Sequence, residues 1–126
     1  MLRDGAKARQ RFPKRYRLLQ PAAFAAVLRQ GRKRRDQCFT VFVSINGLPC
    51  ARLGVVVSRK VSAKATVRNR VKRHIRESFR RQQDELRGID TVVIAQAHAA
   101  TADAATLRAS LERHWISIIE RCEDSL

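Results

Sequence analysis

The stretch from Thr66 to Gln82 reads TVRNRVKRHIRESFRRQ, seven arginines and lysines with Glu77 as the single acid. Such a run breaks no bonds by itself, but it can grip a polyanion. On a helical projection of roughly 100° per residue, Val67, Val71, Ile75, Phe79 and Leu86 share one arc. Asn69, Arg73, Arg76 and Arg80 take the opposite arc. Lys72 borders the apolar side, and Arg70 and Arg81 flank the cationic one. The segment thus has one side to bury and one to present. A solvated surface helix would interleave acids at i,i+4, and that pairing is nearly absent here. A phosphate backbone would relieve the repulsion, and arginine's planar fork suits phosphate oxygens and base edges.

A second candidate lies in CFTVFVSI. Strand alternation puts Phe39, Val41, Val43 and Ile45 on one face and Cys38, Thr40, Phe42 and Ser44 on the other. Phe42 is a large aromatic among small neighbours. It fits a second small core beneath a helix carrying Phe24, and equally a platform on which single-stranded nucleic acid stacks inside a cationic groove. Spacing alone leaves both open.

Hydrolytic chemistry finds less support. A protein nuclease needs clustered carboxylates for metal ions, or a histidine with partners. Six of the 11 acids fall after Gly88, and no motif joins them. His74 sits near the apolar border of the basic helix as a packing residue, His98 and His114 show no ligand spacing, and Trp115 reads as a core residue. No catalytic or metal-binding residue is assigned to the protein.

The elements that must position these residues come from 126 residues, enough for one domain with a modest core. Its 27 bases against 11 acids give a formal charge of +16. That surplus exceeds what solubility requires and costs stability through self-repulsion, so a polyanionic partner accounts for it. Residues 1–35 hold 12 bases and one acid, residues 58–87 hold 11 and three, and residues 88–126 reverse to three and six. A binding surface drawn from two separate basic segments would produce that partition. No apolar run is long enough to span a membrane, and the basic N-terminus lacks the apolar stretch of a secretory signal. Three scattered cysteines support neither a disulfide framework nor a zinc site. The cytoplasm is the default compartment.

Pro21 starts a short helix with Gln20 at its edge, and Gly31 stops it; Phe24, Val27 and Leu28 share its apolar side. CFTVFVSI, the turn NGLP and the β-branched RLGVVVS follow. The basic helix runs from about Thr66 to Leu86 with Gly88 as its stop, DTVVIAQA is a third strand, and Ala104–Arg121 forms an amphipathic helix. The order α-β-β-α-β-α, with room for a short strand before the long helix, makes a single α/β sandwich.

These segments together resemble one family, the protein subunit of bacterial ribonuclease P. The pieces are FPKRYRL (Phe12–Leu18), FAAVLRQG (Phe24–Gly31), RLGVVVSRKV (Arg52–Val61), AKATVRNRVKRHIRESFR (Ala63–Arg80) and DTVVIA (Asp90–Ala95). RNR alone is weak, but between LGVVVSRKV and VKRHIRESFR it is specific. The resemblance implies an α/β (α+β) two-layer sandwich with a central mixed sheet, like the second domain of ribosomal protein S5. In that fold the long helix lies in a left-handed β-α-β crossover, against the usual handedness.

It further implies a flexible basic arm over residues 1–11, one RNA-binding domain over 12–121 and a tail over 122–126. The implied activity is removal of the 5′ leader from precursor transfer RNA. Chemistry then belongs to a catalytic RNA that holds magnesium ions, and one protein joins one RNA. Arg68, Asn69, Arg70, Lys72, Arg73, Arg76 and Arg80, with Arg59 and Lys60, would contact the catalytic RNA. A cleft with Phe24, Leu28 and Phe42, joined by Lys14, Arg15 and Arg17, would take the leader. Leu28 stands where an aromatic is frequent, and Gln96 where a basic residue is common. Other readings are a ribosomal-protein-like binder of structured RNA with no part in cleavage, a metal-dependent nuclease, and a DNA-binding factor. The last lacks a helix-turn-helix pair.

Overall fold

The computed structural model describes Arg17 and residues 20–124. Helix α1 spans Pro21–Gln30; Pro21, at the start, lacks the N–H that would have no partner there. Its glycine stop works by close approach. Gly31 has an ordinary φ of −72°. A Cβ on it would press on the Val27 carbonyl oxygen and stand 2.8 Å from that of Val43. Strands β1 (Arg32–Arg35), β2 (Phe39–Ile45) and β3 (Arg52–Val56) follow, then helix α2 (Ala65–Gln82), strand β4 (Ile89–Ala95), a 3₁₀ turn (Ala97–Ala100) and helix α3 (Ala104–Asp124).

The sheet order is β1-β2-β4-β3, and β4 runs antiparallel to β2 and parallel to β3. The domain is therefore α+β with a mixed sheet. Outside β3, Arg17 forms an isolated parallel bridge to Leu53.

Register separates two faces. Phe39, Val41 and Val43 pair with Ala95, Val93 and Thr91. They belong to a core with Val71, Ile75 and Phe79 of α2 and Leu107, Leu111 and Trp115 of α3. Trp115 is buried, donates its Nε1–H to Ser78 Oγ at 2.7 Å and meets Phe79 edge-on. The alternate residues Phe42, Val92 and Ile94 face the other way, beneath Phe24 and Val27 of α1. Helices thus lie on both sides, where the two-layer expectation placed one helical layer. The apolar patch around Val92 needs cover, and α1 supplies it in part.

Three boundaries differ from the sequence expectation. The extra strand is Arg32–Arg35, ahead of β2 instead of directly before the long helix. Four cations carry no apolar alternation, so the strand exists through its ladder to β2 and the turn between them. There the Asp36 carboxylate accepts the backbone N–H groups of Cys38 and Phe39, each at 2.9 Å. Helix α2 ends at Gln82, short of Leu86. Asp84 and Glu85 would set acids against the negative end of its dipole. The chain turns instead, still burying Leu86, and reverses at Gly88, φ +78°. Helix α3 continues past Arg121 to Asp124.

Cys38 and Cys50 carry free thiols, and burial followed by the nearby Asp36 pushes the Cys38 thiol pKa up.

Candidate nucleic-acid interface

On the face bearing Phe42, where the cleft is expected, α1 packs over β2 and β4. Val27 and Val92 are buried there; Ala23, Phe24, Phe42 and Ile94 pack on them half-buried. Phe42 belongs to a small second core and is half-buried there. Phe24 reaches the sheet because β3 offers Gly54 there, where a Cβ would stand 2.7 Å from the ring. Leu28 is exposed on the same helix.

The cleft's charge comes from an element that pattern reading did not find. Lys33 and Arg35 of β1 pair with Phe42 and Thr40, so their side chains share this face. The Lys33 ammonium lies 5.9 Å from the centre of the Phe42 ring, within cation–π range. The available signal was the run RKRR followed by Asp36, a turn-forming residue, ahead of an alternating strand. At one end of the face, Gln96 donates to Thr40 Oγ1 at 2.6 Å, an uncharged contact. Toward the other end, Arg52 binds Asp90 through Nε and Nη2 at 2.8 and 2.7 Å, and Asn46 joins at 2.8 Å. The Asp90 hydrogen bond raises the Arg52 pKa. Arg52 is committed to the fold, and the exposed cations on this face, Lys33 and Arg35, come from the β1 edge.

On the other layer, α2 buries Val71, Ile75 and Phe79 and turns its cations outward. Asn69 and Arg73 are exposed; Lys72, Arg76 and Arg80 are half-buried; Arg59 and Lys60 are exposed in the turn before the helix. Two arginines also hold backbone. Arg68 Nη1 donates to the carbonyls of Ser62 and Ala63 at 3.0 and 2.9 Å, and Arg70 Nη2 to that of Ala100 at 3.0 Å. They fix the loops on either side of the helix start while leaving further guanidinium donors. Burial and then the positive charge of Arg17 lower the Arg76 pKa, so like charges stand together here. Burial, then Arg70, lowers that of His74 as well.

The expected site residues therefore divide. Phe24 and Phe42 pack in one cluster beneath α1, Leu28 is exposed on that helix, and the α2 cations lie on the other side of the sheet. Arg17 shares a face with Leu53, toward α2 and Arg76, away from Phe42. Lys14 and Arg15 lie outside the described residues. At one end of the sheet β3 finishes at Val56 beside Ile94, and Arg70 is fastened to Ala100 just beyond β4.

Among the described residues, no group of three or more His, Cys, Asp or Glu side chains could hold a metal ion. Asp36, Ser110 and His114 do meet. Ser110 Oγ donates to Asp36 Oδ2 at 2.5 Å, however, and His114 Nε2 stands 3.2 Å from that same oxygen. The serine is thus bound to the carboxylate in place of a base, and His114 is 1% exposed, out of a substrate's reach. The trio fastens the β1–β2 turn to α3. No helix among the described residues is long and apolar enough to cross a membrane.

The chain is similar to known proteins in both sequence and fold. The ribonuclease P family profile matches residues 12–118. The ribonuclease P protein component of Methylococcus capsulatus is 41% identical over 114 residues, spanning 90% of this chain and 89% of that one. The solved ribonuclease P protein of Staphylococcus aureus superposes with a TM-score of 0.74 at 32% identity, over 82% of this chain and 94% of its own. That of Thermotoga maritima gives 0.65 at 34%, over 78% and 89%. A match across nearly the whole chain, in sequence and in fold, has one reading: the chain belongs to the ribonuclease P protein family.

Proposed function

We propose that the Phe24–Phe42 cleft takes the single-stranded 5′ leader of precursor transfer RNA while the outward face of α2 docks on the catalytic RNA. The chain is an accessory protein subunit of an RNA-based endoribonuclease. The observation that carries the proposal is Phe42, half-buried beside Lys33 on a face separated by the sheet from the main core. Aromatic faces within a cationic groove bind successive bases without needing a particular sequence. Asn69, Arg73 and the further donors of Arg68 and Arg70 suit phosphate oxygens of a structured RNA, with Lys72, Arg76, Arg80, Arg59 and Lys60 beside them.

Magnesium is assigned to the RNA, as the family resemblance implies. The protein's contribution is affinity and geometry, aligning the leader so that the scissile phosphodiester meets the RNA's active centre. The reading includes one protein per RNA, a cytoplasmic site of action, and a left-handed β3-α2-β4 crossover like that of the second domain of ribosomal protein S5.

The test is 5′ processing of a precursor transfer RNA at low magnesium with the protein, the matching catalytic RNA, and both. Strong stimulation by the combination, larger for long leaders than for leaderless substrate, is the expected result. Cleavage by RNase-free protein alone would overturn the assignment. Stimulation independent of the leader would remove the cleft from it.

A further inference from the structure

A second groove opens on the sheet face opposite Phe42, between β1, the turn after α2 and the C-terminal half of α3, with a volume of about 690 Å³. That lies within the roughly 300–1,000 Å³ of small-ligand pockets. Its floor is aliphatic, from Val43, Ile45, Ile89 and Ile118. Ile45, 77% exposed, forms part of this apolar patch with its neighbours in the groove. Arg32, Arg34, Arg87 and Arg121 line the same groove, with Glu85 as its one acid. Arg32 and Arg34 reach it by register, since they pair with Val43 and Val41, whereas Lys33 and Arg35 are directed to the Phe42 cleft. The single strand RKRR therefore supplies cations to both faces of the sheet.

We infer that this groove seats an unpaired nucleotide of the catalytic RNA, its base against the aliphatic floor and its flanking phosphates on the arginines. The inference rests on the reading that the chain works on RNA, but not on the leader assignment. Two features select the occupant. Four arginines around an apolar floor call for a ligand that is anionic at its edge and apolar in its body, as a splayed-out nucleotide is. Glu85 can accept from ribose hydroxyls, which an acyl chain lacks. A second copy of this chain is disfavoured by its charge of +16.

Isoleucine methyl resonances of the full chain test this directly, because Ile45, Ile89 and Ile118 report on the groove and Ile94 on the cleft. The probes are adenosine 5′-monophosphate, adenosine, inorganic phosphate and decanoate. The nucleotide should move the three groove methyls, adenosine should do so only at higher concentration, and phosphate should leave them in place. Arg32→Glu and Arg87→Glu, both at exposed positions, should abolish the nucleotide's effect with unchanged unfolding midpoints. In the reconstituted holoenzyme, Arg32→Glu should raise the protein concentration for half-maximal processing roughly tenfold, as losing a phosphate contact does. Long-leader and leaderless substrates should suffer equally. Nucleotide shifts confined to Ile94 would overturn the groove assignment and leave the cleft reading standing. Decanoate acting below the nucleotide's concentration would identify an acyl site and overturn it too. So would a loss restricted to long leaders.

Discussion

Phe24 rests on Gly54: a Cβ at residue 54 would stand 2.7 Å from the ring's Cε2 and 3.0 Å from its Cδ2. The bare backbone of β3 lets an aromatic of α1 come down onto the sheet and set the depth of the cleft beside Phe42. Gly54→Ala should push the ring outward, costing about 1–3 kcal/mol of stability as an overpacked contact. Urea unfolding measures that cost. Leader affinity, compared on long-leader and leaderless precursors, measures the altered cleft; a variant with wild-type stability and binding would show that the ring yields freely.

Phe42→Ala removes the accessible aromatic face and the partner of Lys33. Binding of long-leader precursor to the holoenzyme should weaken roughly tenfold, in the range of one base–aromatic stack, with leaderless substrate little changed. Equal losses on both substrates would refute leader stacking.

Arg68 and Arg70 each hold loop backbone, whereas Asn69 between them is exposed. Arg70→Ala should therefore lower both the folding stability, by about 1 kcal/mol for its bond to Ala100, and the affinity for catalytic RNA. Asn69→Ala should affect RNA affinity alone. Titrations across salt concentration check the charge component, since loss of one phosphate contact reduces the salt slope by about one.

Acid should destabilise the fold in two stages. Burial lowers the His114 pKa from its ordinary 6.5, against the pull of Asp36. Below pH 6.5 the unfolded chain takes up a proton that the native His114 refuses, so stability falls as pH drops toward the native pKa. His74 adds in the same direction, its pKa lowered by burial and then by Arg70. Burial raises the Asp36 pKa, but the bonds from Ser110, Phe39 and Cys38 and the charge of His114 outweigh it, leaving it below 3.8. Its contribution is complete above 3.8 and is lost as pH falls through the native value. Denaturant midpoints from pH 8 to pH 3 should show both stages. His114→Gln should flatten part of the first, and an unchanged profile would remove His114 from the account.

Trp115→Ala should cost about 3–5 kcal/mol, the range for emptying a large aromatic site, because Trp115 fills the core and satisfies Ser78. Trp115→Phe should retain most of the packing and lose the hydrogen bond. Both should leave RNA affinity intact where the protein remains folded, measured below the unfolding midpoint.

The chain's chemistry along any one element was legible without coordinates. Helical spacing identified the buried stripe of Val71, Ile75 and Phe79 and the outward cations of α2, and strand alternation separated Val41 from Phe42. These are local periodicities, fixed by the geometry of a single helix or strand. The motif surrounding Arg68-Asn69-Arg70 gave the family. Tertiary structure decided what depends on partners distant in sequence. RKRR became a strand only by pairing with β2, which sent Lys33 to Phe42 and Arg32 to the opposite groove. Bridging to Leu53 placed Arg17 with Arg76 instead of in the cleft. The loops met by Arg68 and Arg70 drew two expected RNA contacts partly into structural work. Periodicity assigns a side chain to a face of its own element, but which other charges and carbonyls share that face is set by strand pairing and packing.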